Sequence, residues 1–195
     1  SMGSMAVRVY SKKYDNEISG LIVCGSPSNN PAAGVGRAIV RIIGAVKGEN
    51  YKSKLCERLF MGSFNKKYKS EGSTFAWLSA NPQNVSSYES NPLCGFEFTV
   101  NGYKALLWLM SETYGNEGWL MQNKNMPVKF ISGENDPCMV SEAAFISAVN
   151  HMKKMGYENV SYKLYKGLRH EILNEKTNGE VFKDILTQLN EWNKL

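Results

Sequence analysis

Gly167-Leu168-Arg169-His170-Glu171-Ile172-Leu173-Asn174-Glu175 decides the reading of this chain. A glycine opens the turn, a histidine sits in it, and an acidic and amide cluster follows. The run just before it, Val160 to Tyr165, alternates apolar and polar residues as a half-buried strand does. The histidine therefore belongs to a turn at a strand's C-terminal end. Upstream, Phe130-Ile131-Ser132-Gly133-Glu134-Asn135-Asp136-Pro137 repeats the arrangement with an aspartate. Ligand and catalytic groups collect at that edge of open α/β sheets. Asp136 alone also reads as a turn residue capping a helix near Val140, and a lone histidine is often a surface or core residue. The two together, each at the end of a successive strand, predict an acid–imidazole pair. In such a pair the carboxylate orients the ring and stabilises its charged form.

Working outward, Pro127 to Ser132 reads as a strand and Val140 to Met155 as an amphipathic helix. Gly179 to Trp192 closes the chain as a helix with Val181, Ile185, Leu186, Leu189 and Trp192 inward. Ile18 to Cys24 is an apolar run ended by Gly25-Ser26-Pro27, a strand buried on both faces. Residues 4 to 14 predict a helix with Met5, Ala6, Val9 and Tyr10 on one face. Strands alternating with helices predict an α/β fold with a parallel sheet. From about Asn29 to Asn125 strand signals vanish. Helical patterns at Ala33 to Val46, Lys52 to Phe60 and Gly102 to Tyr114 alternate with Gly, Asn, Ser and Pro loops. The expected organisation is a core of residues 1–28 and 126–195, interrupted by a helical lid or cap over residues 29–125.

Composition narrows the chemistry. The 195 residues, 43% hydrophobic, suffice for one domain with a real core. His151 and His170 are the only two imidazoles, which argues against a His-rich zinc site. The four cysteines, Cys24, Cys56, Cys94 and Cys138, form no C-x-x-C pair and read as reduced thiols of a cytoplasmic protein. No run approaches the ~18 apolar residues of a membrane span. The net charge of +5 is modest, with lysine density at Lys47, Lys52, Lys54, Lys66, Lys67 and Lys69. That pattern reads as a solvated surface, or more sharply as transient contact with an anionic membrane surface. No aromatic–basic interleaving suggests nucleic acid. Gly34-Val35-Gly36 begins a dinucleotide fingerprint, but the third glycine position is Ile39.

Ser1-Met2-Gly3-Ser4 reads as the second half of a G-x-S-x-G nucleophile turn running into a helix. Ser-Met at a terminus also reads as a cloning remnant. The chain order Ser, Asp, His is that of α/β-hydrolase triads. With Ser1 as nucleophile, the Met2 backbone N–H is one oxyanion donor, and the second would come from a loop this chain lacks. A small residue at Gly3 would let helix and strand backbones approach closely. Glu171, Asn174 and Glu175 have helical spacing and could hold the His170 turn by hydrogen bonds.

Four stretches resemble one family. The motif Gly167 to Glu175 is similar to the histidine motif of bacterial monoacylglycerol lipase and lysophospholipase-like α/β hydrolases, grouped with serine aminopeptidase-like hydrolases. Asn91-Pro92-Leu93-Cys94-Gly95-Phe96 and Phe75-Ala76-Trp77-Leu78-Ser79 resemble their lid, and Ser1 to Ser4 the tail of their nucleophile turn. The resemblance implies Ser1 as nucleophile, Asp136 as orienting acid and His170 as base. It implies a lipid-like, single-chain ester substrate such as a monoacylglycerol or lysophospholipid, and no metal or organic cofactor. A groove along Ile39, Ile42 and Ile43 would take the acyl chain, the alternative being packing within the helical segment. Family members carry about five strands before the nucleophile turn, so the N-terminal half of the fold is expected as a separate or unseen chain. The competing expectations are an aminopeptidase-like peptidase of the same superfamily and a non-catalytic fragment or interaction module.

Overall fold

The computed structural model describes residues 1–193. Three parallel strands form one sheet in the order β1 (Leu21–Cys24), β2 (Val128–Gly133), β3 (Val160–Tyr165). The register sets Leu21 opposite Val128 and Val128 opposite Val160. Among the described residues there are seven α-helices: α1 (Met2–Tyr14), α2 (Ala33–Lys47), α3 (Lys54–Phe60), α4 (Pro82–Ser90), α5 (Val100–Tyr114), α6 (Glu142–Lys154) and α7 (Gly179–Trp192).

β1 and β2 are covered on both faces because neighbouring residues point to opposite sides, while β3 leaves Ser161 and Tyr162 exposed. Leu21, Val23, Val128 and Phe130 join Phe145, Ala148, Val149 and Met152 of α6 in one core. Ile22, Cys24 and Ile131 turn the other way, onto Tyr165, Leu168, Ile172 and the α7 residues Val181 and Ile185. Each fully buried side chain of this size contributes roughly 1.5–3 kcal/mol. The sheet thus lies between helical layers, as the alternation of strands and helices predicts.

Helix boundaries follow local chemistry. Val140 has φ +64°, which no helix accepts, so α6 begins at Glu142 and not at Val140. Ser141 caps it, accepting from the Ala144 N–H at 3.1 Å. On α7 the packed stripe runs through Val181, Ile185, Gln188 and Trp192. Leu186 and Leu189 lie off it, 60% and 43% exposed, against the sequence expectation.

The α1 face also differs from expectation. Met5 is buried, but Ala6 and Tyr10 are exposed, and the inward side is Ser4, Met5, Arg8, Ser11 and Lys12. Polar side chains face inward because partners await them. Lys12 Nζ donates to the Gly115 and Glu117 carbonyls, and the Arg8 guanidinium lies 4.7 Å over the Tyr114 ring and 5.4 Å over Phe130.

Among the described residues from 29 to 125 there is no strand, only an isolated bridge between Lys52 and Thr99. This stretch has its own core of Val40, Cys56, Val100, Tyr103 and Leu107. Within it α2 packs on α5, and α5 on α1. Helix α4, absent from the sequence reading, starts on a cap by Asn81 with Pro82 in its first turn. No helix among the described residues is long and apolar enough to cross a membrane.

Candidate active site

β2 and β3 end side by side, and their following turns meet. Asp136 and His170 are both buried there, and His170 Nδ1 lies 2.9 Å from Asp136 Oδ2. The same Oδ2 accepts from Ser132 Oγ at 3.0 Å, and Oδ1 accepts from the Cys138 N–H at 2.8 Å. Asp136 therefore also caps the short turn Pro137–Met139, so the structural and functional readings of this residue hold together. Burial would raise its pKa, but the hydrogen bond and charge of His170, with the Cys138 and Ser132 donors, bring it below the ordinary carboxylate value.

Two glycines let these turns close. A Cβ on Gly133 would fall 2.2 Å from the Arg169 carbonyl oxygen and 2.3 Å from that of Leu168, so the histidine turn can cross the end of β2 only over a glycine. Gly25, at φ +55°, ends β1, where a Cβ would come 3.2 Å from His170 Cε1.

Ser1 lies beside the C-terminal end of β1. Its backbone nitrogen donates to the Cys24 carbonyl at 2.8 Å, one residue before Gly25. Ser1 stands at the N-cap of α1, yet its side chain makes no capping hydrogen bond. The Ser4 hydroxyl bonds the Ser1 carbonyl instead. Met2 opens α1, and its N–H precedes the helix's first backbone hydrogen bond, which runs from the Ser4 N–H to the Ser1 carbonyl at 2.9 Å. Gly3 does not serve a close approach, because a Cβ there would meet nothing within 4 Å.

The sequence profile of the family described as serine aminopeptidase, S33, matches residues 1–177. The chain belongs to this S33 family. Its fold is that of the α/β hydrolases. A thermostable carboxyl esterase from Bacillus coagulans superposes with a TM-score of 0.85 at 22% identity, over 96% of this chain and 61% of that one. A soluble variant of the monoglyceride lipase from Saccharomyces cerevisiae gives 0.67 at 18%, over 98% and 60%. The monoacylglycerol lipase of Paleococcus ferrophilus gives 0.65 at 17%, over 97% and 65%. This S33 chain thus spans less than two thirds of the length of these structures. No curated protein sequence matches it.

Other expected residues of this S33 chain divide. Ile43 packs into the α2–α5 core, Ile42 is 64% exposed, and Ile39 is half-buried. Spaced i, i+3 and i+4, the three lie along one side of α2, with Ile43 taken up by packing and Ile42 left open. Several neighbours of the pair escaped the sequence reading. The Trp77 ring lies 5.1 Å from the His170 ring, and Ser132 holds Asp136. Ser132 is one of two polar side chains in β2, with Lys129, and the one nearer the strand's C-terminal end.

Ligand atoms of Asp136, Cys138 and His170 lie within 4.8 Å of one another, a spacing a soft cation could use. Burial, however, pushes the Cys138 thiol up well above its ordinary value, and the other two groups bond each other. That donor set suits a proton relay better than a metal.

His151, the second imidazole, stands between Tyr114 and Trp119 on α6. Desolvation, then the Arg8, Lys12 and Lys154 charges, lowers its pKa from 6.5 to about 4. The unfolded chain binds this proton below about 6.5 and the folded chain only below about 4, so stability falls as pH drops through that window. We expect His151→Phe to flatten the fall of Tm between those pH values. Parallel curves for variant and wild type would show that another group sets the slope.

Proposed function

We propose that this chain carries the catalytic groups of a serine carboxylic-ester hydrolase acting on lipid-like, single-chain esters through an acyl-enzyme. The carrying observation is the buried His170–Asp136 bond, with Ser1 anchored one residue from Gly25 beneath the same imidazole. In this reading Ser1 Oγ attacks the ester carbonyl while His170 takes its proton. The proton then goes to the leaving alcohol, and water, activated by His170, cleaves the acyl-enzyme. Asp136 holds the ring and stays ionised, its pKa being lowered by those contacts. The Met2 N–H is the proposed oxyanion donor on this chain.

The helical stretch 29–125 is proposed as the cap, with its exposed α2 residues Val35, Ile42 and Val46 available to an acyl chain or transiently to a membrane surface. The outer edge of β1, where Cys24 accepts from Ser1, is proposed to receive the strands of the fold's other half. The four unbridged cysteines support a reducing, cytoplasmic location. An aminopeptidase reading rests on the family's description alone.

The test is turnover of a panel of p-nitrophenyl acyl esters, monoacylglycerols and aminoacyl-arylamides by the natural full-length protein. Hydrolysis of the acyl esters, with arylamides cleaved at least about 100-fold more slowly, is the expected result. Preference for the arylamides would replace the esterase reading with the peptidase one.

A further inference from the structure

Beside the acid–imidazole pair lies another buried carboxylate that the proposed reaction does not use. Glu175 is 3% exposed. Its Oε1 accepts from the Ala80 N–H at 2.9 Å and from the Arg169 N–H at 3.2 Å, and its Oε2 accepts from Ser79 Oγ at 2.8 Å. One side chain thus joins the residue immediately before His170 to residues 79 and 80 of the helical stretch. A buried carboxylate is costly unless its lone pairs are filled, and here three donors from two segments fill them.

Neighbouring bonds repeat the junction. The Glu171 N–H donates to the Leu78 carbonyl at 2.8 Å. The Arg169 guanidinium donates to the Ala76 and Ser79 carbonyls, pairs with both Glu71 oxygens and stacks 3.9 Å over Tyr68. Tyr68 in turn donates to the Asn135 carbonyl at 2.8 Å, next to Asp136. Both turns of the acid–imidazole pair are therefore tied to the stretch that carries Trp77.

We propose that Glu175 is the positioning residue for His170, and that residues 66–80 are a fixed wall of the site rather than a moving part of a lid. The proposal rests on the reading of His170 as the base. Glu175 touches no reacting atom in this scheme. It acts through the Arg169 backbone, which sets where the imidazole points, and a displacement near 1 Å at a reacting group can cost about 100-fold.

The experiment measures kcat and KM per active site titrated with a fluorophosphonate, in the full-length protein. Glu175→Ala should lower kcat per titrated site by about 10- to 100-fold with KM nearly unchanged. Glu175→Gln should restore it to within about threefold, because the amide oxygen can accept from Arg169 and Ala80 while the Ser79 hydroxyl turns to accept from the amide nitrogen. Ser79→Ala, which removes one arm, should lower it by about 3- to 10-fold and serves if Glu175→Ala does not fold. A merely structural residue would lower Tm and the titrated fraction but leave turnover per titrated site intact. That result, or Glu175→Gln as slow as Glu175→Ala, overturns the proposal. Turnover surviving in His170→Ala would instead overturn the base assignment, which this control reads separately.

Discussion

Ser1→Ala should lower kcat by roughly 10⁴- to 10⁶-fold and abolish fluorophosphonate labelling, while leaving the fold almost untouched. The two halves of that expectation have one structural source. A serine at a helix N-cap ordinarily stabilises the helix by accepting from the first-turn N–H groups, which contributes about 0.5–2 kcal/mol. Ser1 makes no such bond, so its hydroxyl contributes nothing of the kind to α1. Removing it should change stability by less than about 0.5 kcal/mol. A residue whose loss costs activity and not stability is one kept for chemistry. Ser4 is the control. It is buried, and its hydroxyl is committed to the Ser1 carbonyl, so Ser4→Ala should keep the label and lower Tm. Label persisting in Ser1→Ala, or mapping to Ser4, would remove Ser1 from the reaction.

β1 and β2 were legible because burial on both faces leaves a continuous apolar run, and β3 because its half-buried residues alternate. Val160 to Tyr165 and Gly179 to Trp192 have the boundaries their patterns predict. α1 was misread for the opposite reason. Its inward face carries Ser11, which bonds the Arg8 carbonyl of its own helix, and Arg8 and Lys12, which pack through an aromatic face and backbone carbonyls supplied from about 100 residues away. Periodicity sees apolar residues, and it cannot see a partner that makes a lysine welcome inside. Leu186 and Leu189 show the same limit, since apolar residues off the packed stripe look the same in sequence as those on it.

The site divides along a similar line. Asp136 and His170 were readable because each ends a strand, and parallel neighbours bring their C-terminal ends together. The Trp77, Arg169 and Glu175 contacts were not, because they join segments about 90 residues apart through loops without periodicity. The acidic cluster behind His170 announced hydrogen bonding to its own turn. Its reach to Ser79 and Ala80 needed the tertiary structure.

Asp136→Asn should cost about 10⁴-fold in kcat although the side chain keeps its shape. The carboxylate now accepts three hydrogen bonds, from the Cys138 N–H, the Ser132 hydroxyl and His170 Nδ1. An asparagine has one acceptor oxygen and one donor nitrogen. The Cys138 N–H is a fixed backbone donor, so the amide oxygen belongs at the Oδ1 position. The amide nitrogen then faces His170 Nδ1 and the Ser132 hydroxyl. Ser132 can turn its hydrogen away and accept. His170 can accept at Nδ1 only by carrying its proton on Nε2, and a ring in that tautomer cannot take a proton from a serine. The opposite amide orientation keeps the useful tautomer but leaves the buried Cys138 N–H facing a donor, at a cost of about 1–3 kcal/mol. The protein should therefore settle in the inactive tautomer, folded and with substrate affinity nearly intact. The checks are kcat and KM together with the NMR signals of the His170 ring nitrogens. An Asp136→Asn protein that turns over at the wild-type rate, with Nδ1 still protonated, would show that this carboxylate does not orient the base.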